Sequence, residues 1–247
     1  MRILVTGGGG LLGGAVGRRG AQALSRQQLD VTDRAQATAV LDELRPDGVI
    51  FCAAVTDVDR CAQDAQAHAV NVAAPRWWAA QVPVLLVSTN YVFSGPGPHG
   101  PDQTPDPVNA YGRQKAEAEE AVLAAGGSVV RTGWLYGAGG RNFPSTMGQA
   151  LRAGPVQAIE DWPVQPTWAD DLAEHLLTWP QGISHAVGRD SGTWVQVATR
   201  VAEHLGLQDR VRPTPLAALG LGPRPQDARL APALLPGWRT RLDQLAG

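Results

Sequence analysis

Residues 2–13 read RILVTGGGGLLG, the strongest structural signal in this 247-residue chain. Ile3, Leu4, Val5 and Thr6 form a short, largely apolar run with β-branched members, and Gly7 to Gly10 stop it. Such a run predicts a buried parallel strand ending in a tight turn. A brief helix is expected to follow from about Leu11 to Arg18. Gly7, Gly10 and Gly13 keep the spacing G-x-x-G-x-x-G across that turn. Gly7 permits the turn, Gly10 a close approach of a pyrophosphate, and Gly13 close packing of helix on strand. With 29 glycines in the chain, accidental matches arise easily. Position after a strand and before a helix is what gives this one weight.

The same alternation continues along the chain. AQALS (21–25) predicts a second strand, and DRAQATAVLDELRPD (33–47) a helix with Ala37, Val40, Leu41 and Leu44 on one face. GVIFCAA (48–54) and VPVLLVST (82–89) predict buried strands, and the segment between them predicts helical turns broken near Pro75. A Pro- and Gly-rich loop covers 94–108, a helix 109–125, and GGSVVRTGWLYG (126–137) supplies a fifth strand. Strands alternating with helices predict an α/β fold with a doubly wound parallel sheet. After Phe143 turn formers dominate. The expected organisation is a dinucleotide-binding Rossmann domain over 1–143, with 164–180 returning to it. A small, partly interleaved lobe for substrate takes 144–163 and 181–247.

Composition narrows the function classes. Hydrophobic residues make up 44% and charged residues 18%, as in an ordinary globular domain. A net charge of -2 without a basic run predicts no nucleic-acid partner, and no apolar run approaches a membrane span. Cys52 and Cys61 match neither a zinc nor a disulfide pattern, and the five histidines lack metal spacing. No metal is predicted, and a reducing cytoplasm is the expected setting.

Basic residues hold an anomaly: 20 of the 21 are arginine, and the single lysine is Lys115, four residues after Tyr111 in NAYGRQKAEAEE (109–120). On a helix the two share one face. A phenol with a pKa of about 10 is a poor proton donor near neutrality, and a nearby ammonium is expected to lower that value. A compact ammonium also suits ribose hydroxyls better than a planar guanidinium does. Ser88 and Thr89 close the fourth strand, where open α/β sheets place ligand chemistry. A Thr89 hydroxyl could hold a carbonyl oxygen against Tyr111. After the second strand stand Ser25 and Arg26 rather than a carboxylate, which favours a ribose 2′-phosphate and hence NADP(H) over NAD(H). AEAEE (116–120) reads as a solvated helix face, and Trp77–Trp78 as core or subunit interface.

Together these residues resemble the extended short-chain dehydrogenase/reductase superfamily, and more narrowly the dTDP-4-dehydrorhamnose reductase family. The narrower resemblance rests on LDVTD (29–33), RPDGVIFCAAVTDVDRCAQD (45–64), NVAAP (71–75), STNYVFSG (88–95) and NAYGRQKAEAE (109–119). It continues through RTGWLYGAGGRNF (131–143), DWPVQPTWADDLA (161–173), GTW (192–194) and RPQDARL (224–230). It implies an NADP(H)-dependent reductase of a nucleotide-linked 4-keto-6-deoxy sugar, with NAD(H) as the other coenzyme. Tyr111 would be the general acid, Lys115 its electrostatic partner and cofactor ligand, and Thr89 the hydroxyl on the keto oxygen. Gly7, Gly10, Leu11, Leu12 and Gly13 would line the pyrophosphate. Asp30, Val31, Ala53 and Ala54 would flank adenosine and ribose, with Ser25 and Arg26 at the 2′ position. Asn90, Trp134, Asn142 and Arg224 would face substrate. Asn90 departs from the family's usual aspartate, and Leu11 from its usual polar residue. The resemblance keeps two alternatives: a noncatalytic NADP-binding regulatory subunit like the methionine adenosyltransferase beta subunit, and another sugar-nucleotide epimerase or reductase. Its partners would be a nucleotide sugar and, as an open option, a second copy of the chain.

Overall fold

The computed structural model describes residues 1–139 and 142–246. Gly140 and Arg141, inside the 131–143 segment singled out above, lie outside the described residues, as does Gly247. The opening apolar run forms β1 (Ile3–Thr6), and the glycines turn it into α1 (Leu11–Gly17). β2 (Gln22–Leu24), α2 (Arg34–Leu44) and β3 (Gly48–Phe51) follow as the apolar periodicities require. Asp33 caps α2 by accepting from the N–H groups of Ala35 and Gln36.

The helical stretch between β3 and the next strand does not break at Pro75. α3 (Ala65–His68) runs through a π turn, Ala69–Ala73, into α4 (Ala74–Ala79), whose first turn holds the proline. A first-turn proline costs no intrahelical bond, and the widened turn before it absorbs the change of ladder. β4 (Val84–Thr89), α5 (Ala110–Ala124) and β5 (Ser128–Thr132) complete the first half. The predicted fifth strand splits at Gly133, and β6 (Leu135–Tyr136) pairs elsewhere.

The second half holds α6 (Phe143–Ala153), β7 (Val156–Ile159), β8 (Pro163–Val164), β9 (Thr167–Trp168) and α7 (Ala169–Leu177). β10 (Ile183–His185), β11 (Gly192–Thr193), α8 (Trp194–Leu205), β12 (Val211–Thr214) and α9 (Trp238–Ala246) follow. Six parallel strands make the central sheet in the order β10-β5-β4-β3-β1-β2. β10 lies inside the 181–247 stretch assigned above to the lobe, yet it adds the sixth strand. Its three residues were too few to signal a strand. The two-stranded pairs β7–β12, β8–β11 and β6–β9 carry the remaining strands.

Apolar residues cover both sheet faces. Leu4, Phe51, Trp78, Leu86 and Val122 fill one, and Val5, Ile50, Leu85, Val130 and Leu172 the other. Trp78 belongs to this core, and its indole N–H donates to the Val31 carbonyl at 3.2 Å. The order of strands reverses between β1 and β3. Open sheets place a ligand crevice at such a point, outside the carboxyl ends of the strands.

Candidate active site

The glycine turn packs against the end of β3. Gly7 has φ +71, and a Cβ there would sit 3.0 Å from the Ala53 nitrogen. The Thr6 hydroxyl accepts from the Cys52 and Ala53 N–H groups, each at 3.2 Å, which joins the two strand ends. A Cβ on Gly13 would overlap the Gly7 carbonyl, and one on Gly17 would stand 2.8 Å from the Ala23 Cβ. Those two glycines therefore let α1 lie directly on the turn and on β2. Gly10 caps the helix without a side chain, so the first turn, Leu11 to Gly13, has no side-chain cap bond. A pyrophosphate suits such a helix N-terminus, whose first N–H groups have no intrahelical partner.

Of the remaining cofactor-side residues, Asp30 accepts from the Thr32 N–H and hydroxyl, which holds its carboxyl below the usual range. Ser25 is tied to the Gln28 side-chain oxygen at 2.9 Å. Arg26 is exposed, with its charge acting on Asp30. Val31 is buried, while Ala53 and Ala54 remain partly open beside Gly7.

Thr89 ends β4 and caps the short 3-10 turn Asn90–Val92 by accepting from the Tyr91 N–H at 3.2 Å. α5 closes on that turn through Gly112, where a Cβ would overlap the Tyr91 carbonyl. Asn109 caps α5 through the Gly112 N–H and donates to the Pro223 carbonyl at 3.1 Å. Gln114 and Asn71 bond each other at 2.9 Å, and Asn71 accepts from the Val55 N–H, which fastens the β3 loop to α5. The result brings Thr89, Tyr111 and Lys115 together, all buried, with Cys52 of the β3 end facing Lys115.

The electrostatics differ from the expected lysine-acidified phenol. Burial pushes Tyr111 up to about 12, the Thr89 hydroxyl lowers it, and Cys61 raises it. The Lys115 ammonium is turned to the Val87 carbonyl at 2.8 Å, and burial brings it down to about 8 against the attraction of Glu119. Desolvation wins because both groups sit in the sheet-end core rather than in water. AEAEE is likewise not wholly solvated. Glu119 is 2% exposed and paired with Arg131, itself 1% exposed.

The substrate-side residues have mixed placements. Asn90 is buried, donates to the Ala228 carbonyl at 2.8 Å and accepts from the Thr89 hydroxyl at 3.3 Å. Asn142 caps α6, accepting from the Ser145 N–H and donating to the Gly137 carbonyl at 2.9 Å. Trp134 and Arg224 line a cavity of about 430 Å³. Arg224 is held there by a two-pronged pair with Asp59 at 2.9 and 2.8 Å, which keeps Asp59 low. Sequence reasoning did not place Phe143, Trp162, Trp194 and Trp238 at the site, and all four line this cavity. Tyr91 links that wall to Tyr111, with ring centroids 5.8 Å from both Tyr111 and Trp134. The signal for these residues was the eight tryptophans in so short a chain.

Among the described residues, no helix is long and apolar enough to cross a membrane, and no cluster of His, Cys, Asp or Glu could hold a metal ion. The family model described as RmlD substrate binding domain matches residues 1–235. The chain belongs to this family. Among curated relatives, a dTDP-4-dehydrorhamnose reductase of Streptomyces griseus is 42% identical, over 88% of this RmlD-family chain and 81% of its own length. A probable dTDP-4,6-dihydroxy-2-methyloxan-3-one 4-ketoreductase of Streptomyces antibioticus is 39% identical, over 91% and 85%. The crystal structure of dTDP-4-dehydrorhamnose reductase from Bacillus anthracis str. Ames in complex with NADP superposes with a TM-score of 0.90 at 26% identity. That match covers 98% of the RmlD-family chain and 97% of the other.

Proposed function

We propose that this chain is an NADP(H)-dependent reductase of a nucleotide-linked 4-keto-6-deoxy sugar, with the dTDP-4-dehydrorhamnose reductase activity its relatives are named for. The observation that carries the reading is the meeting of Thr89, Tyr111 and Lys115 at the carboxyl end of β4, with the glycine turn after β1 two strands away in the same sheet. The coenzyme, when bound, supplies the hydride. Gly7, Gly10 and Gly13 would take its pyrophosphate, Lys115 its ribose hydroxyls, and Arg26 a 2′-phosphate. The division of the chain follows: 1–143 with 164–180 and β10 would hold the dinucleotide, and the aromatic lobe the sugar nucleotide.

A phenol at about 12 is fully protonated at neutral pH. Tyr111 therefore carries the proton that the carbonyl oxygen needs as it becomes an alcohol. An alkoxide is more basic than this phenolate, so transfer from Tyr111 runs downhill. The Thr89 hydroxyl holds the oxygen in place, and the Lys115 ammonium favours the phenolate left behind. Two unpaired cysteines, Cys52 and Cys61, suit residence in a reducing cytoplasm.

The deciding assay is NADPH oxidation with dTDP-6-deoxy-L-lyxo-4-hexulose generated in situ. Turnover is expected, with Tyr111→Phe losing at least a hundredfold in kcat while keeping coenzyme affinity. Wild-type turnover by Tyr111→Phe would remove the acid assigned here.

A further inference from the structure

Glu119 and Arg131 form a fully buried ion pair that the reaction described above does not use. Arg131 Nε donates to both carboxylate oxygens at 3.1 and 3.0 Å, and Nη2 to one of them at 2.7 Å. Arg131 also donates to the Pro101 carbonyl at 3.1 Å and lies over the Phe93 ring, 4.9 Å from its centroid. Burying two charges in this way gives up their hydration, and a well-packed apolar pair would serve stability as well or better. The pair's place in the fold suggests what it is for.

Glu119 stands one helical turn after Lys115 on α5, so the two side chains share a face. Arg131 is paired in register with Ser88, next to Thr89, on the neighbouring strand. The ion pair thus ties the helix bearing Tyr111 and Lys115 to the strands bearing Thr89. We propose that Glu119, held by Arg131, is the positioning residue for Lys115: its carboxylate keeps the buried ammonium charged and its clamp on β5 fixes α5 against the end of β4. The inference rests on the reading that Lys115 serves the candidate active site.

Among the described residues, Glu119 and Cys52 are the titratable groups that act on Lys115. From β3's end the Cys52 thiol faces it, and burial pushes that thiol up to about 12, so it stays neutral. Glu119, not Arg131, is the charged group acting on Lys115 directly. Glu117 lies on the outer, half-exposed face of α5, paired with Arg76 of α4 at 2.9 Å and beside His68 of α3. Tyr111, on the same inner face, is protonated at neutral pH.

Lys115 is the only lysine in the chain, which makes the test direct. Protein labelled with a heavy carbon isotope at lysine Cε gives one lysine resonance. Its shift against pH reports that ammonium with no substrate or coenzyme present. In Glu119→Gln the midpoint should fall by about one pH unit. Glu119→Asp should restore most of it, and Glu117→Gln, which removes the same charge from the outer face, should leave it unmoved. If Glu119→Gln leaves Arg131 stranded and fails to fold, Glu119→Leu/Arg131→Met replaces both charges with apolar groups, and the midpoint should still fall. A folded Glu119→Gln or double variant with the wild-type midpoint overturns the proposal, as does an equal fall in Glu117→Gln. Turnover separates the two readings. A shifted midpoint in a protein that reduces no sugar nucleotide upholds the positioning role and sinks the function. An active enzyme with an unmoved midpoint does the reverse.

Discussion

The Asn90 amide donates to the Ala228 carbonyl at 2.8 Å across 138 residues of chain, and both groups are buried. An aspartate in its place has no proton to give at neutral pH and would set a carboxylate against that carbonyl. Asn90→Asp should therefore lose about 1–3 kcal/mol of stability, read as a lower midpoint in urea at unchanged slope. An unchanged midpoint would show that the segment 224–230 repacks freely around the charge.

Gly13 tests the glycine turn. Alanine is the better helix former by about 1 kcal/mol, yet its Cβ would overlap the Gly7 carbonyl. Gly13→Ala should lower both the thermal midpoint and NADPH affinity, the latter at least tenfold by fluorescence titration. A gain in stability with intact affinity would mean that α1 does not rest on the turn.

Lys115 should leave a signature in the pH dependence of stability. Its native value of about 8 lies below the ordinary 10.5, so between those values the unfolded chain binds more protons than the folded one. Stability from this group must then rise with pH across that window. Lys115→Met should be more stable than wild type below pH 8, with the advantage shrinking towards pH 10.5. Paired thermal melts at several pH values would reveal a constant offset instead if the ammonium is not desolvated.

Tyr91 makes an opposite kind of prediction. Its hydroxyl is buried without a hydrogen-bond partner among the described residues, and burial raises its pKa. Removing a polar group that satisfies nothing should not destabilise. Tyr91→Phe, which keeps the ring against Tyr111 and Trp134, should melt at or above the wild-type temperature. A clear drop in calorimetry would mean that the hydroxyl has a partner in the folded protein.

The parallel sheet was legible because its strands are short apolar runs bounded by turn formers: glycine at β1, β3 and β5, and Pro83 before β4. Tyr111 and Lys115 were legible because a composition bias made the lone lysine conspicuous. The charge state of the pair was not, since spacing along a helix says nothing of how far the face is buried. Glu119 was misread for the same reason: AEAEE looks solvated until Arg131, twelve residues on, is placed beside it by β5. The aromatic cavity was hidden because its rings come from α6, α8, α9 and the loops between strands, which meet only in three dimensions. β10 was hidden by its brevity.

The stretch 223–231 touches Asn109, Trp162, Asn90, His99 and Gln165 through its backbone. Every strand of the main sheet precedes these residues along the chain. A nascent Rossmann half can fold early, as N-terminal units do, but the Asn90 amide at the end of β4 waits for a carbonyl 138 residues on. Completion of this corner is thus deferred until well after the strands it rests on have been made, and a product cut short before residue 223 would keep the sheet and lack the corner.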